Sequence, residues 1–313
     1  MPTPPLVIPL IAAGAVTFVL VMVLSRRCPP ALHDRSPEAR GKPRIGGLAI
    51  LGGLLVALVV DPDSWRAVVP IAAATLLGLH DDATDSSARL RLAALLGIAT
   101  GAAILSGSSI PLPVLIAWIL CVTVGFDFID GLDGLAGGLA LVALVPVLVF
   151  APTVWVAALV GGVFVFVMGF NLSPARALLG DAGSNGLGVA VALAAVSTES
   201  AVPNLTGPAL LPLALLAAVP LLDLVTTMIR RATLPTGMFT SERGHLHHRL
   251  AAAHGRGSLA LLELVGVGAI CSFAAVLYAS GTMGRRPLIG AGIALSLLLW
   301  RTRGTPPPAL STR

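Results

Sequence analysis

An all-α polytopic membrane protein with ten or eleven transmembrane helices is the fold that the sequence predicts, and three observations predict it. Of 313 residues, 56% are hydrophobic and only 11% charged, with a mean hydropathy of +0.93, whereas a soluble domain carries roughly 25% charged residues. Runs without any charged side chain recur along the whole chain, at lengths near the ~20 residues that a spanning helix needs. These runs show no strand-length alternation, which favours helices over a barrel. The chain therefore reads as one integral membrane domain over residues 1–304, with a Pro-rich tail, "TPPPALSTR", over 305–313.

Each run is then an element. Met1–Ser25 has no basic residue before it and Arg26-Arg27 after it, the polarity of an anchor with its N-terminus outside rather than of a signal peptide. Ile45–Val60 follows, then Ala67–His80, which is short and borrows flanking residues. Leu92–Phe126 holds two helices parted at "SGSSIPLP" (106–113), and Gly134–Ala175 two parted at "APT" (151–153); Gly, Ser and Pro are the expected punctuation. Ala182–Thr198, Ser200–Leu222, Leu264–Gly284 and the short Pro287–Trp300 complete eleven candidate spans.

With the N-terminus outside, 17 of the 20 Lys and Arg residues fall on the inner side and only Arg66, Arg285 and Arg286 outside. That asymmetry satisfies the positive-inside rule, so the net charge of +5 reflects topology and gives no reason to invoke nucleic acid. Cys28, Cys121 and Cys271 are dispersed, which indicates neither a disulfide frame nor a zinc site.

The polar residues are concentrated. Asp81 and Asp82 end the third span, and "GFDFIDGLDGLAGG" carries Asp127, Asp130 and Asp133 two spans later. Asn171 and Asp181 lie in "NLSPARALLGDAGSNGLG" after two more, and Asp223 with "SERGHLHHRL" after another two. An even number of crossings separates each cluster from the next, so all four emerge on one face, the cytoplasmic one by the Arg count. Acids gathered with few bases repel and protonate unless a divalent cation balances them. Hard oxygen ligands at helix ends suit Mg²⁺, which usually takes one or two carboxylates plus substrate phosphates. Glycines beside the acids let backbone approach an anion and open a helix whose N-terminus attracts phosphate. Acids, metal, helix N-termini and bases on one face point to phosphoryl transfer to or from a lipid.

The order "DD", "DGLDGLAGG", "NLSPARALLGDAGS", "HLHHRL" resembles the polyprenyl-phosphate N-acetylhexosamine-1-phosphate transferase family, from about Gly46 to Leu250. The resemblance implies a bacterial inner (plasma) membrane enzyme, multi-pass, with a cytoplasmic active site. It implies transfer of a sugar-1-phosphate, N-acetylglucosamine-1-phosphate first among candidates, from a UDP-N-acetylhexosamine to polyprenyl (undecaprenyl) phosphate. UMP is released, Mg²⁺ (or Mn²⁺) assists, and a lipid-linked cell-envelope glycan is begun; a homodimer is left open. Residue by residue, Asp81, Asp82 and Asp181 match the catalytic acids, with Asp181 and Asp82 as metal ligands. Asp130 and Asp133 match the "DGxDG" loop, with Asp127 ahead of it, and Asn171 the nucleotide pocket. His245, His247 and His248 match the donor-contacting histidines, and Lys42 and Arg44 in "RGKPRIGG" are phosphate candidates.

The chain departs from that family at Val124 and Asp127, where Asn is usual, and at Leu178, where an aromatic is usual. Blander roles compete at several positions. Asp130 and Asp133 are placed to cap the next helix, and Asp223 needs a partner at lipid depth, for which an Arg is available. Trp155 and Trp300 read as belt residues. Asp127 stands three residues before Asp130, so both carboxylates lie on one helical face. Two other classes compete with the transferase. A secondary transporter would place its acids near the midplane on broken, repeated helices, and a CDP-alcohol phosphotransferase would follow "DFIDG" with Ala-Arg and further spaced acids; neither pattern is seen.

Overall fold

The computed structural model describes residues 5–34, 39, 41–84, 86–198, 210–233, 244–280 and 283–303. The tail at 305–313 lies outside them. The described residues form helices α1 (Val7–Arg27), α2 (Gly46–Leu54), α3 (Val56–Val60), α4 (Trp65–Thr84), α5 (Ala88–Ser106) and α6 (Leu112–Ile129). The series continues with α7 (Leu135–Phe150), α8 (Val154–Phe166), α9 (Gly180–Ser197), α10 (Leu210–Leu216), α11 (Ala218–Thr233), α12 (Leu246–His254), α13 (Gly257–Ala279) and α14 (Arg286–Arg303). No strand occurs among them, only two isolated bridges, His33 with Pro43 and Arg44 with Leu178. The protein is an all-α membrane protein.

Five of these helices are long and apolar enough to cross a bilayer: Val7–Arg27, Ala88–Ser106, Leu112–Ile129, Val154–Asn171 and Gly257–Ala279. Both expected breaks fall where punctuation put them, between Ser106 and Leu112 and between Phe150 and Val154. Trp155 is a correction: it is only 8% exposed and packs into the core rather than forming a belt, whereas Trp300 is 71% exposed.

Helix α9 is the axis. It packs against α4 and α6, and also α2, α7 and α5, and every residue from Ala182 to Val196 is buried. Small residues permit this. A Cβ at Gly78 of α4 would overlap the backbone carbonyl of Asp181, so the two helices meet backbone to backbone there. The outer helices carry the lipid-facing load, with Ile8, Phe18, Ile104, Leu262, Phe273 and Ile293 exposed; exposed apolar rows are what a hydrocarbon solvent requires.

Candidate active site

The functional end of the bundle is built where three helices terminate together: α4 ends just past Asp82, α6 at Ile129, and α9 begins at Gly180. Gly180 has φ +74°, a conformation other residues adopt at a cost, and a Cβ there would lie 2.7 Å from Asp82 Oδ2. This turn aims the first amides of α9 at Asp82, whose carboxylate accepts Asp181 N–H at 3.1 Å and Ala182 N–H at 3.0 Å. An acid on free helix-start amides is a favourable arrangement. Arg44 Nη1 donates to the same carboxylate at 3.1 Å, and Arg44 Nε and Nη2 hold Asp34 Oδ2 at 3.0 and 2.7 Å.

Asp81 turns to the other side. It accepts Ser86 N–H at 2.9 Å and the Ser86 hydroxyl, and it is paired with Arg91 Nη1, which also lies 3.2 Å from Asp181 Oδ2. One guanidinium nitrogen is thus shared by Asp81 and Asp181. Among the described residues, no three His, Cys, Asp or Glu side chains are placed to hold one metal ion. Two carboxylates that already share one cationic nitrogen do suit Mg²⁺, which completes its shell with water and phosphate. The expectation of Asp82 as a metal ligand fits less well, because both its oxygens are engaged by amides and Arg44. The geometry favours Asp81 as the partner of Asp181.

The "DGLDG" loop differs from expectation in two ways. Asp130 has φ −76° and ψ 72° and lies beyond the end of α6, so it does not share a helical face with Asp127. Neither acid caps α7, whose N-cap is Gly134 at φ +82° with no side-chain cap bond. Asp133 instead accepts Ala175 N–H at 3.0 Å, with Lys42 Nζ 3.7 Å away. Asn171 closes a π-helical turn, Val167–Asn171, a feature common at functional sites. Its Oδ1 accepts Gly134 N–H at 3.1 Å and its Nδ2 donates to Ala177 O at 3.0 Å, so this amide locks two loops together. Asp127 and Asp130 make no direct hydrogen bond to a described residue, and feel the guanidinium groups of Arg91 and Arg44 respectively only through space. Burial, then the neighbouring Asp127 and Asp82, push the Asp130 carboxyl up to about 8.

The histidines close the site from α12. His245 Nδ1 lies 2.8 Å from Asp223 Oδ2; the partner of Asp223 is therefore a histidine and not an arginine. His247 is 1% exposed, with no partner for either ring nitrogen among the described residues, and burial holds it well below its usual pKa. It packs on Gly131, where a Cβ would overlap its Nε2. His248 is half-buried, its ring 4.0 Å from that of His247. The four separate polar clusters therefore meet, as parity required. Sequence reasoning missed Arg91 and Asp34, counting the first only for topology and the second not at all. A signal existed for Arg91: an acid pair at a helix end demands a cation, and the next helix begins within ten residues.

The comparisons follow the same residues. The profile described as glycosyl transferase family 4 matches residues 64–199, the stretch from α4 through α9. A Bacillus subtilis protein named as a probable undecaprenyl-phosphate N-acetylglucosaminyl 1-phosphate transferase is 28% identical over 278 residues, covering 80% of this chain and 77% of that one. A decaprenyl-phosphate N-acetylglucosaminephosphotransferase of Mycobacterium leprae is 28% identical over 331 residues, 85% and 82% of the two chains. A phospho-N-acetylmuramoyl-pentapeptide-transferase of Moorella thermoacetica is 31% identical over 240 residues, 61% of this chain and 75% of its own. Matched through the helices that carry its acids, and across three quarters of that last relative, the chain belongs to glycosyl transferase family 4.

Proposed function

We propose that the protein transfers N-acetylglucosamine-1-phosphate from UDP-N-acetylglucosamine to a polyprenyl phosphate, releasing UMP, with Mg²⁺ or Mn²⁺ bound at the cytoplasmic end of the bundle. The observation that carries this reading is the meeting of Asp81 and Asp181, from helices far apart in sequence, on one cationic nitrogen. The relatives named for N-acetylglucosamine phosphate transfer to polyprenyl phosphate support the substrate class. Asp81 and Asp181 would hold the cation. When bound, it neutralises charge developing on the leaving phosphate.

The rest falls to the chain's own groups. In the reaction, an oxygen of the lipid phosphate forms a bond to the sugar-side phosphorus as the bond to UMP breaks. A phosphate monoester with a second pKa of about 6 is largely dianionic at neutral pH, so no strong base is needed. Asp82 fixes the start of α9, and through it Asp181. Lys42 and Arg44, part-exposed beside the acids, are placed to meet phosphate oxygens. The N-terminus lies outside in this reading. UMP release from UDP-N-acetylglucosamine by purified protein with polyprenyl phosphate and Mg²⁺ tests it; no release with any UDP-N-acetylhexosamine would refute it.

A further inference from the structure

Asp223 is wholly buried in α11, where an acid at lipid depth persists only with partners. Both its oxygens serve the entrance of α12: Oδ2 lies 2.8 Å from His245 Nδ1, and Oδ1 accepts Leu246 N–H at 2.7 Å. This two-point contact ties the first turn of α12 to the bundle. Thr227 Oγ1 also lies 3.4 Å from Nδ1, so Nδ1 faces two polar partners; with Nδ1–H donating to the Asp223 carboxylate, which as an acceptor suits it, Nε2 is the nitrogen left to meet a ligand. Packing fixes the ring on two further sides. Phe128 stands edge-on at 5.1 Å, two residues before Asp130, and His247 stacks at 5.8 Å.

We propose that Asp223 is a positioning residue of the transferase, holding His245 in the one tautomer and orientation that turns Nε2 to the nucleoside diphosphate sugar. This rests on the function proposed above. Asp223→Asn keeps the shape but presents an N–H either to Nδ1 or to the Leu246 amide, so the tautomer or the docking is lost. The KM for UDP-N-acetylglucosamine should then rise at least about 10-fold, the factor that about 1.4 kcal/mol corresponds to. The KM for polyprenyl phosphate should stay at its wild-type value, and a cooperative thermal transition in detergent should be retained. Because Asp223 acts through His245, the double variant Asp223→Asn/His245→Gln should be no worse than His245→Gln alone.

Equal rises in both KM values, or losses that multiply in the double variant, would overturn the proposal and make Asp223 a packing residue. Should Asp223→Asn lose its thermal transition, Asp223→Ser, which keeps one acceptor, is read in the same way. Calorimetric binding of UDP-N-acetylglucosamine without acceptor separates the two readings. A wild-type protein that binds the donor but releases no UMP refutes the reaction, whereas donor affinity unmoved by Asp223→Asn refutes only the positioning role.

Discussion

Replacing Gly78 by alanine tests how closely α4 and α9 must approach for the acids to meet. The new methyl group would overlap the Asp181 carbonyl and lie 2.5 Å from Ala182 N, where ordinary contact begins at 3.4 Å. The helices must part by about 1 Å to restore van der Waals distance. The bonds from Asp82 to the amides of Asp181 and Ala182, now 3.1 and 3.0 Å, would then exceed the ~3.5 Å beyond which a hydrogen bond is lost. Two bonds to a charged group are worth about 3–6 kcal/mol together, while absorbing the methyl by local overpacking costs about 1–3 kcal/mol. The methyl meets backbone rather than a flexible side chain, so the local route is closed, the helices part, and a loss of about 3–6 kcal/mol is expected. A displacement near 1 Å at the reacting groups costs on the order of 10²-fold in rate. Gly97→Ala on α5 is the control, since nothing lies within 4 Å of its Cβ, and it should be neutral or slightly stabilising. The assays are thermal unfolding in detergent and UMP release. Wild-type melting and turnover in Gly78→Ala would refute the reasoning.

Asp181→Asn should cut turnover by at least about 10²-fold at ordinary Mg²⁺; near-normal turnover would move the cation elsewhere. Arg91→Gln should bind Mn²⁺ more tightly in the absence of donor, read by electron paramagnetic resonance, because the nitrogen shared by Asp81 and Asp181 no longer competes. Asp127→Asn should keep donor binding but demand more Mg²⁺ for the same rate; an altered sugar preference at unchanged Mg²⁺ dependence would make it a donor-recognition residue instead. For Asp130 the sign is set by a folded-state pKa raised from 3.8 to about 8. Below pH 3.8 the carboxyl is protonated in both states and costs nothing, and between that value and about 8 the unfolded chain alone releases its proton, so folding loses stability as pH rises. Asp130→Asn should therefore raise the melting temperature in metal-free buffer more at pH 8 than at pH 5, and an equal shift at both pH values would contradict this.

Much of this was legible in the residues. Helix breaks at 106–113 and 151–153 follow from local Gly, Ser and Pro chemistry, and the gathering of four polar clusters follows from counting crossings. What was not legible depends on side-chain choices among near neighbours. Nothing in "DD" says that Asp82 takes the amides of α9 while Asp81 takes Arg91; the positive φ of Gly180 and the crossing at Gly78 decide it. The shared face of Asp127 and Asp130 failed because α6 stops at Ile129, one residue too early. Asp223 announced a partner but not which one, since an arginine eight residues on competes with a histidine brought back by α12.

Helix α9 has a consequence for how the protein is made. Its first two turns hold Asp181, Ser184, Asn185 and three glycines, and it is not among the helices apolar enough to enter a bilayer by composition. Asn185 has no partner for either amide atom among the described residues, a costly group to leave facing lipid. These groups are costly to hold in hydrocarbon without neighbours to cover them. The helices that cover it, α2, α4 and α6, all precede it in synthesis, so chain order supplies the polar segment's neighbours before the segment itself is made.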